Sequence, residues 1–166
     1  YAVVTVAGGQ GTRLGHNGPK GTYKINTIKG EKSLFEILCE TMKEAGKKFG
    51  TLIPWYIMTS DENNKQTVEF FEANDYFGYD KDKIKFFRQS KMPVVDTEGK
   101  LLVDENFRIK EASDGHGGIF NSMLKRNVIS ELDELGVKWV FTCGVDNPLV
   151  NMVDPYLLGL AITKNC

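Results

Sequence analysis

With 166 residues, 41% of them apolar, the chain is long enough to bury one substantial core and falls within the size range of one domain. Its 21 basic and 22 acidic residues are interspersed and leave a formal net charge of −1, so no long-range field points to a nucleic acid or an anionic membrane surface as partner. Cys39, Cys143 and Cys166 lie far apart without a CxxC pair, no run of about 18 apolar residues exists and no cleavable leader is visible, which together point to a soluble protein of the reducing cytoplasm.

The chain opens on Tyr1, without a methionine, and passes at once into Val3, Val4, Val6 and Ala7. This nearly continuous apolar run is of the kind found in strands buried on both faces of a parallel sheet. So abrupt a start reads as a piece of a longer chain. Gly8 and Gly9 end the run and begin a glycine-rich turn. Ser33 precedes Leu34, Phe35, Ile37, Leu38 and Met42 at helical spacing, with Glu36 three residues on, so a capping box opens a helix that ends near Gly46 to Gly50. Thr51 to Met58 is predicted as the next strand, followed by a helix capped by Ser60 or Asp61 and carrying Val68, Phe70 and Phe71. Ile84 to Phe87 makes a short third strand. A long irregular region then runs from Gln89 to Gly118, with a hairpin around Thr97, Glu98 and Gly99; a loop of that length inside a compact domain points to function. Helical spacing returns in Ile119, Met123, Leu124, Val128, Ile129, Leu132 and Leu135, stopped by Gly136, before a buried strand over Lys138 to Val145. Asp154 and Pro155 start a last helix in the cap and first positions. The alternation predicts an α/β fold, a three-layer sandwich around a mainly parallel sheet.

The turn from Ala7 to Gly15, AGGQGTRLG, sits at the carboxyl end of the first strand, where open α/β sheets bind their ligands. Four glycines, Gly8, Gly9, Gly11 and Gly15, let backbone N–H groups approach an anion closely. A dinucleotide fingerprint counted from Gly9 and Gly11 needs its third glycine where Leu14 stands. A Walker A loop needs Ser or Thr after its lysine, where Gly18-Pro19-Lys20 is followed by Gly21. Both fail, and no acidic residue is in place for the ribose of a nicotinamide cofactor. Arg13 can grip phosphate oxygens with a planar fork and Lys20 acts as a point charge, its backbone fixed by Pro19 and Gly21. A ligand-free structural turn is the plain alternative, and it accounts for neither the glycines nor the cations. Asp146 ends the strand of Trp139 to Val145 and so emerges at the same sheet edge. A carboxylate there can hold Mg²⁺, which bridges to phosphate through one or two carboxylates; an aspartate bonding its own turn before Pro148 is the alternative. The amide of Gln89 can donate and accept together, as the imide edge of uracil requires.

AGGQGTRLG followed by PKG resembles the signature of the eukaryotic-type UDP-sugar pyrophosphorylases, and the chain looks most like their acetylhexosamine, or N-acetylglucosamine, branch. The similarity continues through PWYIMTS at Pro54 to Ser60, YFG at Tyr76 to Gly78, FFRQSKMP at Phe86 to Pro93, DGHGG at Asp114 to Gly118 and VDNPLV at Val145 to Val150. Several separated motifs in order are far more specific than any one of them.

The resemblance implies a nucleotidyltransferase fold of the GT-A, Rossmann-like type, with residues 1–166 forming the N-terminal nucleotide-binding portion of a uridylyltransferase catalytic domain. It makes Arg13 and Lys20 the catalytic cations, Asp146 the ligand of Mg²⁺, and Gln89 the reader of uracil beside the backbone of Ala7 and Gly8. Gly9, Gly11, Thr12, Gly115, His116, Gly117 and Asn147 complete the substrate contacts. The implied reaction is in-line attack by a sugar 1-phosphate oxygen on the α-phosphorus of UTP, which releases pyrophosphate. It needs no general base, because the sugar phosphate is already ionised. The acetylhexosamine enzymes usually show Asn where His116 stands; the glucose enzymes usually show His there but Asp in place of Gly118. N-acetylglucosamine 1-phosphate is the expected sugar substrate, with glucose 1-phosphate as the alternative, and a non-catalytic UTP- or UDP-sugar-binding domain is the rival from another class.

Overall fold

A computed structural model describes residues 1–164; Cys166 lies outside the described residues. Its centre is β1 (Ala2–Val6), in which all five residues are buried. Val3 faces one apolar cluster while Ala2, Val4 and Val6 face another, the period-two alternation of a strand with no polar face. Backbone donors and acceptors on both edges of such a strand must be satisfied, and parallel neighbours do so: β4 (Trp55–Thr59) on one side and β8 (Val140–Gly144) on the other. With β5 (Ile84–Arg88) outside β4, the parallel sheet has the order β5-β4-β1-β8. Helices α1 (Leu34–Phe49) and α2 (Asn64–Ala73) cover one face, α3 (Ile119–Lys125) and α4 (Val128–Glu134) the other. This is the expected three-layer sandwich. β8 is an edge strand and stays half exposed, so the expectation of a buried strand there does not hold. No helix among the described residues is long and apolar enough to cross a membrane.

Helix α1 begins as its sequence implies: the Ser33 hydroxyl accepts the Glu36 amide at 3.1 Å, and Gly50 closes the helix at φ 64. Only half of the capping box forms, since the Glu36 carboxylate turns to Lys32 at 3.7 Å. The strand expected from Thr51 begins only at Trp55, because Pro54 has no N–H to donate and the backbone of Ile53 is taken by the Tyr79 hydroxyl. Asn63, rather than Ser60 or Asp61, stands at the N-cap position of α2, and Ser60 caps the turn that leads into it: its hydroxyl accepts the Asn63 amide at 3.3 Å and its carbonyl accepts from the amides of Asn63 and Asn64.

The helix expected from Ile119 to Leu135 is two short helices separated at Asn127, which takes the left-handed φ of 60 that asparagine tolerates. The sequence spacing explains the break. Ile119 to Met123 and Val128 to Leu132 are four-residue steps, but Met123 to Val128 is five, and one continuous helix would rotate the second pair off the core. Leu124, Ile129 and Leu135 are left exposed. Gly136 ends α4 at φ 67 as expected. The last helix, α5 (Pro155–Lys164), is capped by Asp154, whose carboxylate accepts the Tyr156 amide at 2.8 Å.

Two antiparallel additions carry no helical or buried-strand signal. β2 (Lys24–Thr27) and β3 (Gly30–Ser33) form a hairpin between the glycine-rich turn and α1. The long segment after β5 is an antiparallel arm in which β6 (Lys91–Pro93) pairs with β7 (Glu111–Ser113), with the expected hairpin turn at Gly99 between Val95 and Leu101.

Phe71 anchors the larger cluster, its ring meeting Phe35, Trp55, Phe77 and Phe86 at 4.9 to 5.7 Å. The Phe71→Ala variant is expected to lose about 3–5 kcal/mol of stability, read as a lowered urea midpoint; a loss below about 1 kcal/mol would show that the site collapses around the hole.

Candidate functional site

The chain leaves β1 toward α1 and β4, while β8 joins the opposite edge of β1. The strand order therefore reverses between β1 and β8, and the crevice outside their carboxyl ends is the topological switch point at which open α/β sheets bind ligands. The glycine-rich turn follows β1 and Asp146 follows β8, so both line it. The cleft there has a volume of ≈ 610 Å³, with Gly9, Thr12, Arg13, Lys20 and Asp146 on its polar side and Tyr23, Ile25 and Leu34 on its apolar side. Leu34 opens α1, which the helical spacing marked; Tyr23 and Ile25 come from the entry to the β2–β3 hairpin, which periodicity did not reveal.

Lys20 is placed from both sides. Pro19 and Gly21 are buried, and a Cβ on Gly21 would lie 2.2 Å from the Phe35 ring, so glycine there lets the backbone seat directly on α1. The Lys20 amide donates to Gly9 O at 3.0 Å. Its side chain then passes Gly9, and Nζ meets Asp146 Oδ2 at 3.1 Å. That hydrogen bond, reinforced by the charges of Lys20 and His116 and opposed by partial burial, holds the Asp146 carboxyl below the usual aspartate range. Arg13 rides on an exposed 3₁₀ turn, Thr12–Leu14, and forms no salt bridge among the described residues. A cation held on a carboxylate and a second cation left open, both facing one cleft, suit a polyanionic ligand.

Gly8, Gln89, Gly11, Gly115, His116, Gly117 and Asn147 are not among the residues that line this cleft. Gly8 packs against Gln89 so closely that a Cβ would fall 2.0 Å from Gln89 Oε1, which ties the buried Gln89 amide to the first turn of the loop. The segment of Gly115, His116 and Gly117 is joined to the residue after Gln89, the Asp114 amide donating to Ser90 O at 3.2 Å; Gly115, at φ 72, turns the chain into α3. Gly11 serves the loop itself, donating to Gly18 O at 2.9 Å and accepting from Leu14 and His16. Asn147 is exposed, with its amide on Gly144 O at 3.3 Å, and Pro148 rather than Asn147 lines the cleft.

No sequence pattern pointed to Asn63. It is fully buried; its Oδ1 accepts the Ser60 amide at 2.8 Å and its Nδ2 donates to Ala7 O at 2.9 Å and Gly9 O at 3.3 Å. In a trans peptide the following N–H points opposite to the carbonyl, so drawing these two carbonyls inward turns the amides of Gly8 and Gln10 outward. Among the described residues neither amide donates to a backbone carbonyl. A polar residue in a polar run, DENN at Asp61 to Asn64, has no periodicity to betray burial.

The whole chain, residues 1–166, matches the family described as UTP–glucose-1-phosphate uridylyltransferase. It is 38% identical over 174 residues to UDP-N-acetylglucosamine diphosphorylase 2 of Arabidopsis thaliana, covering 98% of this chain and 34% of that protein. It is likewise 38% identical over 165 residues to UDP-N-acetylglucosamine pyrophosphorylase of Saccharomyces cerevisiae, covering 97% of this chain and 34% of that protein. The crystal structure of uridine diphosphate N-acetylglucosamine pyrophosphorylase from Trypanosoma brucei, in complex with an inhibitor, superposes with a TM-score of 0.89 at 32% identity over 99% of this chain and 35% of that one. The chain spans about a third of the length of these relatives.

Two measurements test the geometry. Because the folded Asp146 pKa is depressed, its pairing with Lys20 contributes stability that is complete above the ordinary aspartate value of about 3.9 and lost as pH falls through the lower folded value. Carboxyl NMR titration of a Lys20→Met variant should show Asp146 moving up toward the ordinary value; no movement would place the cause elsewhere. Asn63→Ala, which leaves Ala7 O and the Ser60 amide without their partner, should cost about 1–3 kcal/mol in urea unfolding.

Proposed function

The chain belongs to the UTP–glucose-1-phosphate uridylyltransferase family, and on that premise we propose that it is the nucleotide-binding portion of an enzyme that joins UTP to a sugar 1-phosphate, releasing pyrophosphate. The observation that carries the reading is the convergence of Arg13, Lys20 and Asp146 on one cleft at the switch point of the sheet. In the reaction a non-bridging oxygen of the sugar phosphate bonds to the α-phosphorus of UTP, and the bond from that phosphorus to the oxygen bridging to the β-phosphate breaks. Pyrophosphate leaves with that oxygen, and no proton moves. Catalysis then rests on holding two anions in line and neutralising charge. Lys20 can turn from Asp146 to phosphate oxygens across Gly9, Arg13 meets the triphosphate from the loop tip, and the outward amides of Gly8 and Gln10 add donors. Gln89, seated on Gly8, reads the uracil, with the DGHGG segment beside it for the sugar.

Asp146 is the residue that would hold Mg²⁺. The fit is that of an ion carried mainly by phosphate and water: a single anionic carboxylate faces the cleft, and among the described residues no group of three or more His, Cys, Asp or Glu side chains forms a cage. When bound, the ion supplies charge neutralisation on the triphosphate.

N-acetylglucosamine 1-phosphate is the sugar substrate in this proposal. The relatives' names support it, and so does the packing at Gly118, where a Cβ would fall 2.1 Å from the Asp114 carboxyl, leaving no room for a side chain unless Asp114 moves. The free thiols of Cys39 and Cys143 support a reducing compartment, the cytoplasm.

Pyrophosphate release by the full-length protein is the test. Lys20→Ala should lower turnover at least a hundredfold, on the scale of losing one preorganised charge. Near-normal turnover would remove Lys20 from the mechanism, and UTP binding without any release by the unsubstituted protein would make this a binding domain. Parallel assays should give the higher kcat/KM with N-acetylglucosamine 1-phosphate; a higher value with glucose 1-phosphate would overturn the sugar assignment.

A further inference from the structure

His16 has no part in the signature, yet it occupies the inside of the glycine-rich loop. Its amide donates to Gly11 O at 3.1 Å, and a Cβ on Gly11 would lie 2.8 Å from its Cβ and Cδ2. A Cβ on Gly18, across the loop, would lie 3.3 Å from its Nε2, and the Tyr23 ring stands edge-on with centroids 5.7 Å apart. The imidazole therefore fills the space between the outgoing limb, which carries Arg13, and the returning limb, which carries Lys20.

Among the described residues its one side-chain bond runs to the returning limb. Nε2 lies 2.7 Å from Thr22 Oγ1, and that hydroxyl lies 2.8 Å from Pro19 O. The single hydroxyl proton goes to the carbonyl, so the oxygen accepts from Nε2–H, and the ring is the donor at the head of a two-bond relay. Pro19 O also accepts the Thr22 amide at 3.0 Å, which fixes the peptide immediately before Lys20. Among the described residues, the hydrogen bonds that join the two limbs without the ring are Gly11 N to Gly18 O and Lys20 N to Gly9 O, and Gly11, Gly15 and Gly18 leave the span between them free to move.

We infer that His16 is a positioning residue: through the Thr22 hydroxyl and the Pro19 carbonyl it sets Arg13 and Lys20 at the spacing that receives a nucleoside triphosphate. The inference rests on the UTP reading above. Its consequence is preorganisation, since a loop ordered before the ligand arrives does not have to be ordered at the expense of binding.

The experiment uses the full-length protein with His16→Ala, His16→Gln, Thr22→Val and Thr22→Ser, reading UTP affinity by calorimetry and amide hydrogen exchange without ligand. His16→Ala and Thr22→Val should weaken UTP about fivefold or more and speed exchange at Gly11, Gly15 and Lys20, with Val4 and Ile57 in the sheet unchanged. His16→Gln, which keeps a donor near the same point, and Thr22→Ser, which keeps the hydroxyl, should stay within about twofold of the unsubstituted protein. The double variant His16→Ala with Thr22→Val should be no weaker than either single one, because both break one relay. Unchanged exchange in the two disruptive variants would overturn the relay. Faster exchange with undiminished UTP affinity would overturn the positioning role. Failure of the unsubstituted protein to bind UTP would sink the nucleotide reading and the positioning role with it, while the exchange data would still report whether the relay exists.

Discussion

A strand that is apolar on both faces has to be covered on both faces, and most of this molecule follows from that requirement in β1. Helices must lie on each side of the sheet, and parallel partners must fill each edge of the strand. The chain meets both demands by running from β1 through α1, β4, α2 and β5 in one direction and then returning, by way of α3 and α4 on the other face, to place β8 on the far side of β1. The crevice between the ends of β1 and β8 is a product of that return. The site lies there because the topology leaves a gap there, and the residues at the two strand ends supply its chemistry.

The glycines of the loop and its surroundings divide the work among themselves, and they do so through what crowds them. Gly8 yields to the Gln89 amide, Gly11 to the His16 ring, Gly21 to Phe35 and Gly118 to Asp114. Each close approach trades a side chain for a fixed neighbour, so the cleft is built by packing as much as by backbone freedom. Asn63 belongs to the same logic from below, gathering the carbonyls of Ala7 and Gly9 so that the amides of Gly8 and Gln10 turn outward.

Two of the three charges at the cleft are already paired. Lys20 and Asp146 meet at 3.1 Å across the switch point, the lysine half-buried and the aspartate exposed. A ligand that brings several negative charges, with a cation to accompany them, can divide this pair and provide a partner for each member. Arg13, which makes no such pairing among the described residues, stands ready at the loop tip.

Much of this was legible in the residues themselves. Continuous apolarity marked β1 as doubly buried, the spacing of Leu34, Phe35, Leu38 and Met42 marked α1, and Asp154-Pro155 marked the start of α5, because each depends on local periodicity or on a cap within one turn. The order of motifs likewise set Arg13, Lys20, Gln89 and Asp146 apart, since glycine spacing and strand ends are sequence properties. Other features required the fold. The break at Asn127 comes from a five-residue step that matters only against a particular core, and the β2–β3 hairpin has too little apolar pattern to announce that Ile25 lines the cleft. Asn63, His16 and Thr22 act on backbone or side-chain groups that other loops deliver to them, so their roles exist only once those loops are in place. Sequence by itself determined which chemistry sits at the ends of the strands; the tertiary structure decided how it is held, because hydrogen bonds and close contacts between distant segments have no periodicity in the chain.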